Sequence, residues 1–317
     1  MQAATGIQKT SPTPGERRID APPTRPPDGS AFARELEGDL RQQFAVHDGI
    51  ADGFVAQVLG RLADAARSGL KLDLEAASRL LTVSAACRCD VSVERAILQM
   101  VEPQQHQEAL GLAAVRHIHD DLEVAATNQG HLTACAQTGL NVRKANYLSA
   151  LARDAQLNFQ RHRDDPGYVI ALQSSLAAQF GVGECGEQAS LAFSFLAARG
   201  VRPLELVKFA PFPDGQPVTV RLPLPDGDGE ERVDLRAPDH VMVVAGRTHG
   251  QLADFRTWNT SALIVDPHQD CVYGPPELPR RSFDNRQFTG GATMLVAKFT
   301  LAEGEPWPAR AAATTQG

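Results

Sequence analysis

The first half of the chain places apolar residues three and four positions apart, the spacing that forms one face of a helix. The segment ADGFVAQVLGRLADAARSGL does so at Phe54, Val55, Val58, Leu59 and Leu62. The same character continues in LDLEAASRLLTVSAACRCD, VSVERAILQMV, QEALGLAAVRHIHDDLEVAATNQG and LNVRKANYLSALARDAQLNFQRH. We therefore predict roughly six helices and no strand before residue 180. Asp90 or Ser92 is the predicted cap of VSVERAILQMV, and the helix that follows it is predicted to end near Gly130.

After residue 200 the pattern changes to an alternation of apolar and polar positions. Short segments rich in β-branched residues follow one another: RPLELVKF, QPVTVRLPLP, ERVDLRA, HVMVVAG, ALIVDP and ATMLVAKFT. Turn-forming clusters such as PDGDG separate them. We predict a mostly antiparallel sheet built from hairpins. The predicted fold class is α+β, with a helical N-terminal half and a sheet-rich C-terminal half.

Composition divides the chain further. Residues 1–30 are rich in Pro, Thr, Ser and Gly and hold few large apolar residues, which predicts a disordered leader. Such a leader is either a terminus without a role or a segment that a secretion apparatus recognises without cleaving it. Residues 31–165 form the predicted helical region, 166–305 the predicted core that carries the chemistry, and 306–317 a flexible tail.

Charge and cysteine content exclude several classes of protein. The net charge of −7 gives no reason to expect binding to nucleic acid or to an acidic membrane surface. The chain has no uncharged apolar run long enough to span a membrane, and its first residues lack the apolar core of a signal peptide. Its five cysteines are too few for a disulfide framework, and the pair in CRC lacks the second pair that a zinc site requires.

One cysteine stands apart from the others. In FGVGECGEQASLAFSFLAARG, residues 180–200, Cys185 lies between glycines at the start of an apolar helix that Gly200 is predicted to end. At a helix start, the peptide dipoles and the free N–H groups stabilise a thiolate, and the same groups can hold an oxyanion. Gly183 and Gly186 leave room for a substrate backbone. Cys185 is therefore a candidate nucleophile, and the alternative is a buried small residue.

A candidate base and a candidate carboxylate follow Cys185 along the chain. His240 opens the strand HVMVVAG, and Asp266 closes the strand LIVDP. The ends of neighbouring strands can meet a helix-borne thiol, which gives the Cys-His-acid arrangement of acyl transfer. Asp254 is a rival for the carboxylate, because it lies nearer His240 in sequence, in the loop GQLADFRTW. We favour Asp266, since IVDP ends a clear strand.

Taken together, GECGEQASLAFSFLAARG, DHVMVVAG and LIVDPH resemble the transglutaminase-like branch of the papain-type cysteine enzymes, over roughly residues 170–300. The resemblance implies a central helix packed on an antiparallel sheet. It implies Cys185 as nucleophile, His240 as general base and then acid, and Asp266 as the partner that orients the imidazole. The chemistry requires no metal and no organic cofactor.

Two positions extend or depart from this resemblance. Gln179 precedes Cys185 by six residues, a spacing similar to that of the oxyanion-hole glutamine in papain-type proteases. The alternative for Gln179 is a helix residue that faces solvent. An aromatic residue commonly follows Asp-Pro in transglutaminase-type enzymes, whereas this chain has His268 there.

The resemblance also implies a substrate class. Enzymes of this superfamily attack amides, and we favour deamidation of protein glutamine over proteolysis and over transglutamination. The leader, the helical region and the core together resemble bacterial type III secreted effectors, which modify host proteins in the host cytoplasm. The helical region would then bind the protein substrate or a secretion chaperone. The contrasting hypothesis is a binding module that has lost its catalytic function.

Other candidate sites carry less weight. HIHDD, residues 117–121, is either a metal-binding cluster or a solvated helix face, and we favour the solvated face. The segment CVYGPPELP either lines the cleft or forms a surface connection, and we favour the surface connection. Trp258 and Tyr273 are either walls of an amide pocket or core residues. Glu184 and Glu187 are interpreted as acidic residues placed in the first turn of the helix.

Overall fold

The computed structural model describes residues 28–47, 52–126, 142–151, 164–209, 218–223, 230–235, 240–281 and 295–307, and its architecture is α+β. The predicted tail from residue 308 and most of the predicted leader lie outside these residues. The last residues of that leader are helical, because α1 begins at Gly29. Within the described residues no helix is long and apolar enough to cross a membrane.

The helical first half begins with five helices, as the apolar spacing predicts. They are α1 (Gly29–His47), α2 (Asp52–Arg67), α3 (Leu74–Ala86), α4 (Val91–Gln99) and α5 (His106–Arg116). Of the two predicted caps of α4, Asp90 is the N-cap, and its side chain accepts a hydrogen bond from the Ser92 N–H at 2.8 Å. A carboxylate at this place satisfies an N–H group that has no partner within the helix.

The helix predicted to reach Gly130 ends earlier. After Arg116 the chain forms one π-helical turn, His117–Asp121, closed by a hydrogen bond from the Leu122 N–H to the His117 carbonyl. Residues 122–126 are not helical, and residue 130 lies outside the described residues. The prediction was wrong because a π turn inserts a residue and rotates the apolar stripe off the following turn.

In the described ranges 142–151 and 164–209, three helices lie between this turn and the sheet: α6 (142–151), α7 (Pro166–Phe180) and α8 (Cys185–Ala198). Asp165 caps α7, and Pro166 fits its first turn because no helical partner is needed there. The helix α8 is buried on nearly every side, as its composition predicts, and Phe193 and Leu196 are fully buried. It ends at Ala198, and Gly200, which follows the C-cap Arg199, has the predicted left-handed conformation with a φ of 76°.

The second half holds a five-stranded antiparallel sheet with the strand order β6-β5-β4-β1-β7. Its strands are β1 (Leu204–Phe209), β4 (Val241–Ala245), β5 (Leu263–Asp266), β6 (Cys271–Tyr273) and β7 (Leu295–Leu301). The hairpin of β2 (Val218–Pro223) and β3 (Glu230–Leu235) forms a separate pair. The antiparallel prediction is confirmed, whereas β6 occupies part of the predicted loop CVYGPPELP. A short helix, α9 (Leu278–Arg281), follows it.

Alternating residues of the sheet face two separate cores. One face packs on α8 and α5, and its buried cluster extends without interruption into α1–α4. A close approach marks this junction: a Cβ added at Gly111 of α5 would lie 3.1 Å from a methyl group of Val265. The opposite face, to which Tyr273 of β6 belongs, packs on Trp258 and Leu278. The helical half therefore shares its hydrophobic core with the sheet that carries the candidate site.

Candidate active site

A tight turn delivers Cys185 to the first position of α8. Gly181 ends α7 in the left-handed conformation, with a φ of 62°. Gly183 is required for packing, because an added Cβ would lie 2.8 Å from the Cβ of Glu187. At Gly186 an added Cβ would meet no heavy atom within 4 Å. Gly186 therefore borders open space that a substrate can enter, whereas Gly183 allows the turn to pack closely against the first turn of α8.

The two glutamates beside the cysteine form a capping box. The Glu184 N–H donates to the Glu187 carboxylate at 3.2 Å, and the reciprocal bond is also present. Helix α6 packs over this turn: the Tyr147 hydroxyl donates to Glu187 at 3.2 Å, and the Lys144 ammonium lies 3.6 Å from the Glu184 carboxylate. These contacts stabilise the start of α8 and agree with the predicted role of the glutamates in its first turn.

His240 and Asp266 meet where adjacent strands begin and end. The register pairs Val243 with Val265, so the start of β4 lies beside the end of β5. The His240 Nε2 lies 2.7 Å from Oδ2 of Asp266, a short charge-assisted distance. The Asp266 side chain is fully buried, and its other oxygen accepts the Gln269 N–H at 3.3 Å. The carboxylate is therefore held on both oxygens.

The imidazole of His240 bridges Asp266 and Cys185. Because Nε2 faces the carboxylate, Nδ1 is the ring nitrogen left for the hydrogen bond with the Cys185 thiol. Burial lowers the pKa of His240, but the hydrogen bonds to Asp266 and to Cys185, together with their charges, raise it from 6.5 to about 9. The arrangement favours a protonated imidazole at neutral pH, which is the state that pairs with a thiolate.

The rival carboxylate does not reach the histidine. Asp254 caps a short 3-10 turn, and its carboxylate binds the Arg256 guanidinium at 2.7 Å. This ion pair lies on the surface, where the hydrogen bond to Arg256 holds the pKa of Asp254 below its usual value. The structure thus brings Asp266, and not Asp254, to His240.

Gln179 and the two aromatic candidates lie elsewhere. Gln179 lies in the last turn of α7 and is exposed, which agrees with the alternative of a helix residue that faces solvent. A role for Gln179 in binding an oxyanion stays a prediction. Trp258 and Tyr273 are buried on the sheet face opposite α8. They are core residues and do not line the space around Cys185.

A second histidine joins the site. The ring centroid of His268 lies 5.8 Å from that of His240, and the side chain is half-buried. Burial and the neighbouring charge of His240 lower the pKa of His268 below its usual value. The sequence signal for this residue is its place in LIVDPH, two positions after Asp266.

The HIHDD segment also contacts the site. Its His119 Nε2 donates to the Pro267 carbonyl at 2.6 Å, while His117 bonds to Asp121 at 3.1 Å. Among the described residues no group of three or more His, Cys, Asp and Glu side chains could hold a metal. On the face that the solvated interpretation describes, Asp120 is exposed and His117 and Asp121 are half-buried, whereas the ring of His119 contacts the loop after Asp266.

The other described cysteines differ from Cys185 in their surroundings. Cys87, Cys89 and Cys271 are free thiols. Burial raises the pKa of Cys87 to about 11 and that of Cys271 to about 11, and it also raises the pKa of Cys89. These three sites therefore disfavour the thiolate. Cys135 lies outside the described residues.

Comparisons with protein-family models, with characterised proteins and with solved structures give no match. The resemblance to transglutaminase-like cysteine enzymes therefore stays a prediction that rests on the residues quoted for it. The geometry of Cys185, His240 and Asp266 is an observation independent of that resemblance. We conclude that the chain carries a thiol, an imidazole and a buried carboxylate in one hydrogen-bonded array at the start of a central helix.

Proposed function

We propose that this chain is a thiol hydrolase that transfers acyl groups from protein carboxamides to water. The observation that carries the proposal is the imidazole of His240, which bonds to a fully buried Asp266 on one nitrogen and to Cys185 on the other. A nucleophile, a base and an orienting acid in this order form the arrangement used for acyl transfer on several unrelated folds.

His240 supplies both proton transfers of such a reaction, while Cys185 is the nucleophile and Asp266 orients the imidazole. The Cys185 thiolate adds to the carbonyl carbon, and the protonated His240 donates its proton to the departing nitrogen. The C–N bond breaks, ammonia leaves, and the acyl group stays on sulfur as a thioester. Water then attacks the thioester while neutral His240 takes its proton. The C–S bond breaks, and the carboxylic acid leaves with the thiolate and the imidazolium restored.

The start of α8 supports the charged intermediate. The first N–H groups of a helix lack acceptors within it, and since the Glu184 side chain accepts the N–H of Glu187, an oxyanion beside Cys185 would bind those of the positions before Glu187. An oxyanion bound there would gain both their hydrogen bonds and the helix dipole. The open space at Gly186 lets a substrate carbonyl approach these groups.

The proposed substrate is the side-chain amide of glutamine in a protein, and the proposed setting is a host cell entered by secretion. The chemistry at Cys185 is the same for a peptide bond, so the substrate preference rests on the resemblance described above. The composition of residues 1–30 fits a secretion leader as well as a terminus without a role, and the acidic net charge gives no support to nucleic acid as a target.

Comparative proteomics of cells that express the wild type or Cys185→Ala tests this proposal. We expect glutamine residues of one or a few proteins to become glutamate, a gain of about one dalton, in the wild type alone. New chain termini would identify a protease, and new isopeptide links would identify a transglutaminase. Identical proteomes, with both chains folded and expressed equally, would contradict the enzyme and favour a binding module.

A further inference from the structure

The π turn His117–Asp121 joins the helical half to both elements of the candidate site. It follows α5 directly, and Ile118 is buried in the main core. π turns are rare, and they occur often at functional sites because they re-aim side chains that an α-helix would point elsewhere. Here the turn sends His117 and His119 to different neighbours.

His117 contacts the helix that carries the nucleophile. Its ring lies 5.4 Å from the ring of Phe195 in α8, and its Nδ1 bonds to Asp121 at 3.1 Å. Asp121 in turn lies 3.6 Å from the Arg41 guanidinium of α1. The turn is therefore held by helices on two sides.

His119 contacts the loop that carries the acid. Its Nε2 lies 2.6 Å from the carbonyl oxygen of Pro267, the residue directly after Asp266. A carbonyl only accepts hydrogen bonds, so this nitrogen must carry the proton. Pro267 begins a 3-10 turn, Pro267–Gln269, whose last N–H group binds Asp266. The hydrogen bond thus adds a side-chain donor to the Pro267 carbonyl, which also accepts the Asp270 N–H at 3.0 Å and belongs to the turn whose Gln269 N–H binds Asp266.

We propose that His119 is a positioning residue of the candidate active site, which holds the Pro267 carbonyl and thereby aims the Asp266 carboxylate at His240. The inference rests on the proposed function for its catalytic meaning. Site geometry must be held within about 0.5 Å by supporting hydrogen bonds. The loop after β5 receives this hydrogen bond from His119 of the helical half. The helical half would therefore help to position Asp266, in addition to any role in substrate recognition.

Two amide substitutions at this position test the inference. In His119→Gln the side-chain N–H₂ group reaches the place of Nε2 and keeps the donor, whereas in His119→Asn the shorter chain does not. His106 gives a matched control, because its Nε2 lies 3.1 Å from the Val101 carbonyl, a similar contact away from the site. The first readout is the NMR titration of His240, assigned with His240→Gln. The second is the rate at which iodoacetamide alkylates Cys185.

We expect the pKa of His240 to fall by about one unit in His119→Asn, because its bond to Asp266 loosens. Alkylation of Cys185 at pH 6 should slow by about tenfold in the same variant. His119→Gln and His106→Asn should titrate like the wild type. An unchanged His240 titration in a folded His119→Asn, or equal loss in His119→Gln, would overturn the inference. A wild-type Cys185 that reacts like an ordinary thiol would instead overturn the proposed function, and the His240 titration would still decide the role of His119.

Discussion

At the scale of single residues, the site depends on one buried charge. Asp266 is fully buried and would be costly to ionise without a partner, and His240 supplies that partner at 2.7 Å. The same contact holds the histidine in its charged form despite burial. Each group therefore stabilises the charged form of the other, and the Cys185 thiol is hydrogen-bonded to the same imidazole.

This coupling predicts a pH dependence of stability. The pKa of His240 is about 9 in the folded chain, against 6.5 in an ordinary environment. Its contribution is fully present below pH 6.5 and is lost as the pH rises through 9, because the folded state binds the proton more tightly. Relative to His240→Gln, the wild type should lose up to about 3 kcal/mol of unfolding free energy between pH 6 and pH 10.

Urea unfolding of both chains at the two pH values measures this loss. His249→Gln serves as the control, since His249 is exposed on a loop after β4. That variant should follow the wild type at both pH values. A constant difference between the wild type and His240→Gln would contradict the charged imidazole.

Cys185, His240 and Asp266 could be predicted from the sequence, whereas the contact of His119 that supports them could not. Cys185, His240 and Asp266 lie at the ends of elements whose patterns are clear, and Asp254 could be set aside because its segment lacks a strand. The contact of His119 depends on a π turn and on a partner 148 residues away. Local periodicity carries no information on such a pairing.

At the scale of elements, the turn between α7 and α8 determines where the thiol lies. Two glycines flank Cys185, and the structure gives them different roles. Gly183 packs against the first turn of α8, whereas Gly186 faces open space. The sequence alone assigns both glycines to substrate access, because only the packing distinguishes them.

Alanine substitutions separate these two roles. Gly183→Ala places a Cβ 2.8 Å from the Cβ of Glu187 and should cost about 1–3 kcal/mol of unfolding free energy. Gly186→Ala meets nothing within 4 Å and should be neutral or stabilising by up to about 1 kcal/mol, since alanine favours a helix over glycine. Denaturant unfolding of the pair measures the difference. Equal destabilisation by both substitutions would contradict the packing of the turn.

Strands and helices were predictable to different degrees. The continuous apolar runs in HVMVVAG and ALIVDP identify the central strands, because both faces of the sheet are buried there. The edge strand β6 escaped prediction, since its three residues precede a proline-rich turn and are too few to show alternation. The early end of the helical segment after α5 also escaped prediction, because it depends on the π turn His117–Asp121, which the local periodicity does not reveal.

At the scale of the whole molecule, the helical half and the sheet form one packed body within the described residues. Leu36 of α1, Leu80 of α3 and Phe193 of α8 belong to the same buried cluster. The sequence predicts the change from helices to strands along the chain, and hence the α+β class. It does not predict that the two halves share a core, because amphipathic faces do not specify their partners.

The central claim is that His240 holds Cys185 in its reactive form, and thiol alkylation tests it most directly. The protein is treated with iodoacetamide at pH 6, and peptide mass spectrometry gives the rate at each cysteine. Cys87, Cys89 and Cys271 act as internal controls, since burial raises the pKa of each thiol. We predict that Cys185 reacts at least about tenfold faster than a free small-molecule thiol, and that His240→Ala removes this excess. A Cys185 that reacts no faster than a free small-molecule thiol, or at the same rate in His240→Ala, would contradict the account.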